Sequence, residues 1–346
     1  MLLSRPSRLA DRQVNARVSV VVPNWNGAHH LAECLTSLEQ QTYRNFETIL
    51  VDNGSRDDSA EVVARFESVK WIALGENLGF GAAANIGIRS STSELVVLLN
   101  NDTRAEPDWL ERLVAAVDET SEASFAASKL LRYDRPDEID AAGDGYSLWK
   151  ANAVSVGQGD PASLYTTREW TFGACAAAAL YRRSMLEDIG LFDEDFVLHF
   201  EDIDLDLRAQ VAGYRCVYVP DAIVHHKRGA STDTWAPDVQ ARAMRNRIWV
   251  ASKNLPGPLL TAWWVCFVIR APVIFLLVVV RWPPTMLRMR NIGGRSLVEA
   301  ATAWRNGLGA GVGGARGKRR QTRAARRLGS RSVMGRIRAR PQRSPT

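Results

Sequence analysis

Cysteine is scarce in this chain and poorly spaced for its usual tasks. The 346 residues include four, Cys34, Cys175, Cys216 and Cys266, with no CxxC pair among them. That argues against a thiolate zinc site and a disulfide framework, and it suits a reducing cytosol. The first residues, MLLSRPSRLADRQ, lack the apolar core of a secretory signal. Acid is missing from Arg316 to Arg343, where twelve Lys and Arg stand. With a formal net charge of +6, the rest of the chain carries −6, so the body is mildly acidic and the tail makes the protein basic. The tail's Arg, Gly and Ser content, with few apolar residues, predicts disorder. Such a tail could touch an anionic membrane or nucleic acid, or be solvated with no dedicated partner.

Apolar residues make up 46% of the chain and charged ones 24%, enough for one large or two modest domains. One apolar run is long: LLTAWWVCFVIRAPVIFLLVVV, residues 259–280. At ~1.5 Å per residue a helix there would be about 33 Å long, close to the hydrocarbon thickness of a bilayer. Arg270 and Pro272 at its centre oppose a clean single span. A re-entrant or interfacial segment, with Trp263, Trp264 and Trp282 near the head groups, competes with it, as does a buried helix of a soluble core. Arg281, Arg288, Arg290 and the tail would keep the C-terminus cytosolic.

Upstream the pattern alternates. VSVVVP (18–23), FETILVD (46–52), VKWIAL (69–74) and ELVVLLNND (94–102) are short apolar runs, as expected of strands covered on both faces. Between and after them lie helical patterns, at Leu31, Cys34, Leu35 and Leu38, over 58–66, up to Arg89, and over 107–117. The alternation predicts a doubly wound, mostly parallel α/β sheet. Ligands of such sheets sit beyond the carboxyl ends of the strands. Three of these strands end in polar clusters, NWNG, VDNGS and NNDT. Residues 132–170 lose periodicity and read as loops, and 238–253 read as a helix.

Asp102 closes the fourth run, where one carboxylate suits Mg²⁺ or Mn²⁺ together with phosphate oxygens. An Asx turn or helix cap is the competing role. Asp52 and Asn53 end the second run; Asp52 could accept from a base NH or a ribose hydroxyl, or serve the turn. His226, after an apolar strand in DAIVHHKRGAS, is either structural or a metal ligand. LHFEDIDLDLR (198–208) crowds Glu201, Asp202, Asp204 and Asp206 beside apolar residues, which costs free energy unless something compensates. If 201–214 is helical, first-turn acids can be caps, Asp204 pairs with Arg208, and Asp202 is left for proton abstraction. Gly79-x-Gly81-x-x-Ala84 superficially matches a dinucleotide fingerprint, which keeps an NAD(P)-dependent oxidoreductase as an alternative. It follows the third strand rather than the first. A non-catalytic membrane or nucleic-acid binder acting through the tail is the other alternative.

Taken in order, VSVVVPNWNG, ILVDNGSRDDS, ENLGFGAAANIGI, LLNNDT, GLFDEDFVLHFEDIDLDLR and VPDAIVHHKRGAS resemble inverting glycosyltransferases of family 2, and among them bacterial rhamnosyltransferase-like members. The resemblance covers roughly residues 17–255. It implies a GT-A fold and sugar transfer, possible donors being dTDP-, UDP- or GDP-linked and acceptors a glycan or polyprenyl-linked glycan. It implies that Asp52 reads the base and that Asn77 and Asn85 line the nucleotide pocket. Asn100, Asn101 and Asp102 stand as the DxD element, Asp102 holding the metal, with Asn100 a departure at its first position. His226 would be a second metal contact and Asp202 the base, with Glu201 beside it for positioning, Asp204 in the ion pair and one acid solvated. The expected organisation is an extension (1–14), a catalytic domain (15–255, divided near 131), a membrane-associated segment (256–290) and the basic tail (291–346). The expected place is the cytoplasmic face of a bacterial inner membrane, on an anionic surface, with no specific nucleic acid.

Overall fold

A computed structural model describes residues 16–227, 236–280, 297–321 and 327–338. The expected extension at 1–14 lies outside the described residues, as do Arg281, Trp282, Arg288 and Arg290. The first half is the predicted alternation. β1 (Val18–Asn24), β2 (Phe46–Asp52), β3 (Val69–Ala73) and β4 (Leu95–Leu99) are separated by α1 (Ala28–Glu39), α2 (Ser59–Val63) and α3 (Phe80–Arg89). The strands read as unbroken apolar runs because two layers cover them. Val20, Val22, Leu50 and Val97 face one buried cluster, and Val21, Ile49, Val96 and Leu98 the other.

β1 pairs in parallel with both β2 and β4, and β2 pairs in parallel with β3. Past β4, β5 (Thr103–Ala105) and α4 (Trp109–Glu119) lead to β6 (Ala123–Arg132), and β11 (Ala178–Arg182) lies antiparallel between β4 and β6. The complete order also involves β10 (Glu169–Thr171) and β12 (Arg215–His226) and runs β10-β12-β6-β11-β4-β1-β2-β3. β5 pairs with β12, and β7 (Ile139–Ala142) with β6. The sheet is mixed: β1–β4 form a parallel block, β12 also runs parallel to β6, and β11 and β10 are antiparallel to their neighbours.

Residues 132–170, read as loops, contain β7 and a hairpin of β8 (Asp144–Ser147) and β9 (Asn152–Ser155). Four-residue strands are too short to display a period. The acid-rich stretch is a helix, α6 (Glu201–Ala212), preceded by α5 (Arg183–Ile189), and α7 (Pro237–Asn254) packs against it. The apolar run lies in one helix, α8 (Gly257–Val280), whose Leu259, Trp263 and Phe267 enter a third buried cluster. Among the described residues no helix is long and apolar enough to cross a membrane.

The expectation of a disordered tail is overturned for its described part. Leu297–Gln321 and Ser330–Ile337 are helices docked on the body. Lys318 is buried against Asp193 and Asp195, Arg327 pairs with Asp188, and Arg336 donates to the Gly213 and Tyr214 carbonyls. Composition marked the segment as unable to make its own core, but its cations find acids and carbonyls more than 100 residues away.

Candidate active site

β2 and β3 lie on one side of β1 and β4 on the other, so strand order reverses at β1 and a crevice opens at its carboxyl end. Asn24, the last residue of β1, joins the three strand ends. Its Nδ2 donates to Asp52 Oδ1 at 2.9 Å, and its Oδ1 accepts from Asn101 Nδ2 at 2.6 Å. Asp52 also accepts from the Ser55 backbone N–H at 3.0 Å and hydroxyl at 2.5 Å, so the turn role holds. A Cβ at Gly27 would overlap the Asn101 amide and the Asn24 carbonyl oxygen, and only glycine lets α1 start there.

Asn53 and Asn77 clasp the loops after β2 and β3. Asn53 Nδ2 donates to Asn77 Oδ1 at 2.9 Å, and Asn53 Oδ1 accepts from the Leu78 N–H at 2.9 Å. Asn85 departs from the expectation of a pocket-lining residue. It is fully buried in α3, donating to Phe192 O and Glu194 Oε1 and accepting from the Phe192 N–H. Its amide is committed to anchoring the loop that leads to α6. The glycines of the dinucleotide-like motif serve that loop too. A Cβ on Gly79 would strike the Val197 backbone, and one on Gly81 would crowd Phe192.

Asp102 is buried just past β4. The register of β12 on β5 sets His226 opposite Thr103, which brings the imidazole beside that carboxylate. Asp102 Oδ1 stands 3.4 Å from His226 Nε2 and has no hydrogen-bond partner. On its other nitrogen, His226 Nδ1 is 2.8 Å from Asp140 Oδ2. Burial acts against the imidazolium, but the two flanking carboxylates outweigh it and raise the His226 pKa to about 9. Burial likewise opposes ionisation of Asp102, and His226 outweighs it, leaving the carboxyl below its usual range. An orphaned buried carboxylate oxygen beside an imidazole nitrogen, backed by a second carboxylate, fits a divalent cation whose other ligands are phosphate and water.

The acids of α6 separate into distinct roles. Asp204 is an ion-pair centre: Arg208 Nε and Lys253 Nζ each lie 2.8 Å from its Oδ2, and Asn254 donates to its Oδ1. Lys253 also reaches Asp193 at 2.6 Å. Asp206, the acid that could have been solvated, is instead completely buried. Its Oδ1 accepts from the Ala174 N–H at 3.3 Å, its Oδ2 has no partner, and burial beside Asp144 and Asp202 pushes its pKa well up. Glu201 is buried with an unpartnered Oε2, and burial together with the Asp202 charge pushes it up to about 8. Asp202 is less enclosed and accepts from the Ile203 N–H at 2.8 Å, with burial raising its pKa. Of the four acids, Asp202 is the one left partly exposed.

The loop entering α6 is strained. Val197, His199 and Phe200 have φ of 64°, 67° and 72°, a region that disfavours side chains and a branched one most. Asn246 of α7 holds it, its Nδ2 contacting the carbonyls of Phe196, Leu198 and His199 at 2.8–3.1 Å.

One short segment joins the two acid sites. Asp140 sits on His226, and Asp144 places an oxygen within 4.8 Å of ligand atoms of Asp202 and Cys175. Three residues lie between the two, so their Cα atoms, four steps apart along the chain, are at most about 14 Å apart. The other wall agrees: Asn100 N–H donates to Ala177 O at 2.9 Å, two residues beyond Cys175. The Asp144–Cys175–Asp202 group is itself compact enough for a metal. Its thiol, however, is pushed well up by burial and neighbouring acids, and sulfur is a poor partner for Mg²⁺ or Mn²⁺. The residues absent from the sequence reading, Asp140, Asp144, Asn246 and Lys253, all act through distant partners. Two of them carried a faint signal, since DAAGD sets two acids around a glycine in a stretch without period.

Known proteins share this frame. Residues 19–190 match the family model described as Glycosyl transferase family 2. The N-acetylglucosaminyl-diphospho-decaprenol L-rhamnosyltransferase of Mycobacterium tuberculosis is 28% identical over 281 residues, covering 73% of this chain and 87% of that one. Staphylococcus aureus TarS 1–349 in complex with UDP superposes with a TM-score of 0.56 at 19% identity, over 92% of this chain and 91% of that one. The mannosyltransferase PcManGT from Pyrobaculum calidifontis, in complex with GDP-Man and Mn²⁺, gives 0.52 at 18% identity, over 86% and 87%. Matched over residues 19–190 by the family model and in its sheet by these structures, the chain carries a glycosyl transferase family 2 domain and is a glycosyltransferase with the GT-A fold.

Proposed function

We propose that this enzyme transfers a sugar, with inversion, from a nucleoside-diphosphate donor to a lipid-linked glycan acceptor, with a divalent cation at Asp102 and His226. The supporting observation is the convergence just described: an orphaned carboxylate oxygen beside an imidazole, and a carboxylate free of ion pairing, joined by the segment 140–144. Bound there, Mg²⁺ or Mn²⁺ would neutralise charge on the departing diphosphate. The chain's own residues carry the rest. Asn24, Asp52 and Asn101 fix the strand ends that face the nucleotide, and Asp140 orients His226. Asp202 accepts the proton of the acceptor hydroxyl as it attacks from the face opposite the diphosphate. Glu201, keeping its own proton near neutrality, positions Asp202 and stays uncharged beside it.

The M. tuberculosis relative supports rhamnose as the sugar and a polyprenyl diphosphate-linked acceptor. Such an acceptor supports a location at the cytoplasmic face of the inner membrane. The oxidoreductase alternative loses its motif, whose glycines pack the loop before α6. The tail-mediated binder loses cations such as Lys318 and Arg327, which are held by the protein. A panel of dTDP-, UDP- and GDP-linked sugars, titrated with and without Mn²⁺, tests the reading. One donor binds in a metal-dependent way and Asp102→Ala abolishes that dependence; equal binding without metal refutes the assignment.

A further inference from the structure

α8 is apolar on both sides, and among its described side chains, up to Arg270, one side meets the protein and the other is exposed. Leu259, Trp263 and Phe267 point inward, with the Trp263 and Phe267 rings stacked at 5.0 Å. The opposite side presents Val265, Val268 and Ile269 at 52%, 61% and 56% exposure. A helix apolar all round needs an apolar neighbour on each side. The β8–β9 hairpin packs against the same helix, with Tyr146 in the cluster that holds Trp263. At the tip of that hairpin, Trp149 is 62% exposed, and the Arg270 guanidinium of α8 lies 5.6 Å from its ring centre. Three aliphatic side chains and an indole thus lie along adjoining outer edges, with Lys150 and Arg270 beside them.

Charge identifies what covers them. The one charged residue of α8 is Arg270 and the one at the hairpin tip, residues 148–151, is Lys150, so the patch carries two cations and no acid. A two-fold dimer through this patch would set it against itself, bringing like charges together. An anionic bilayer supplies both the apolar boundary and the opposite charge, and indole rings favour that boundary.

We infer that the hairpin tip and the outer edge of α8 form one membrane-docking surface, with Trp149, Val265, Val268 and Ile269 entering the head-group boundary and Lys150 and Arg270 meeting lipid phosphates. The surface also sets the reach of the site. The hairpin that carries Trp149 begins at Asp144, whose carboxylate is beside Asp202, and five residues span at most about 17 Å. A saccharide on a membrane-held diphosphate therefore approaches Asp202 along the hairpin. This deepens the acceptor reading and rests on it only for that last step.

Flotation with vesicles of phosphatidylcholine plus phosphatidylglycerol, and of phosphatidylcholine alone, tests the surface, with Mn²⁺-supported nucleotide binding measured on the same samples. The wild type binds the anionic vesicles and releases in high salt. Trp149→Ala and the pair Val268→Glu/Ile269→Glu each reduce that binding by at least about tenfold while nucleotide binding is retained. Retained nucleotide binding reports an intact fold, and Trp149→Ala, at an exposed tip, serves if the charged pair does not fold. Vesicle binding unchanged in both variants overturns the proposal, as does a wild-type dimer that ignores vesicles and that these variants dissociate. If vesicles bind as stated but no nucleotide does, the surface stands and the transferase assignment falls.

Discussion

The Glu201–Asp202 pair makes a demanding prediction about pH. Both carboxyls have raised pKa values, chiefly through burial, and the Asp202 charge pushes Glu201 further, to about 8. Glu201 therefore keeps its proton at neutral pH, and the two carboxyls titrate as a unit. For two unit charges roughly 6 Å apart at an effective dielectric of about 20, the repulsion is about 2.8 kcal/mol, or about two pKa units. A base works only when deprotonated, so kcat/KM rises with pH through the titration of Asp202. Loss of the Glu201 proton near pH 8 adds a neighbouring charge that bends the profile again. Glu201→Gln removes that second charge while keeping a neutral, similarly shaped neighbour. Its profile therefore rises once, through the titration of Asp202, and lacks the second bend near pH 8. Asp202→Asn lowers kcat by about 10²–10⁴-fold and is not rescued at high pH. The assay is initial-rate transfer with the donor found in the nucleotide-sugar panel, across pH, with Mn²⁺ constant. A Glu201→Gln profile identical to wild type, or Asp202→Asn within about tenfold of it, would remove the pair from the proton-transfer step.

Three further outcomes follow from the packing. Asp140→Ala lowers Mn²⁺ affinity by about 10–100-fold in calorimetric titration, and Asp140→Asn partly restores it because its amide oxygen can still accept from Nδ1–H. Lys253→Met leaves buried Asp204 with Arg208 and Asn254 alone and costs about 3 kcal/mol in urea unfolding, whereas a loss under about 1 kcal/mol would mean those two partners suffice. Asp206 stays protonated in the folded state, while its unfolded counterpart ionises at the ordinary value. The folded state thus binds more protons, and this group's contribution to stability falls as pH rises above the ordinary aspartate range. Asp206→Asn removes that loss, so its urea midpoint exceeds the wild-type value by more at about pH 8 than at about pH 5.

The first four strands were legible because burial on both faces leaves no polar position to interrupt an apolar run. Val18–Asn24 and Phe46–Asp52 begin at the expected residues, and the second also ends there. Asp102 and Asp52 were legible for a related reason, since a carboxylate after such a run has to emerge at the rim. The Asp204–Arg208 pair followed from helical spacing, but its deeper partner Lys253, 49 residues on, did not. Asn85 misled because an asparagine in a helix near the site looks available to a ligand. Its true partners are backbone groups of Phe192, 107 residues away. Asp140 and Asp144 lie in strands too short to show a period, and their roles depend on His226 and Asp202, beyond any local window. The tail was misread because composition records what a segment cannot bury alone, not what it can dock on.

Between Asp140 and Asp144 the chain turns at Gly143, whose φ of 85° and closeness to Thr171 and Gly173 leave no room for a side chain. The proposed metal site and Asp202 are therefore tethered by one stiff link. Variants that enlarge the crevice by lengthening this link should misalign the leaving diphosphate and the attacking hydroxyl at once, in the single displacement step. Altering sugar preference while keeping turnover calls for reshaping the surrounding walls and leaving the tether intact.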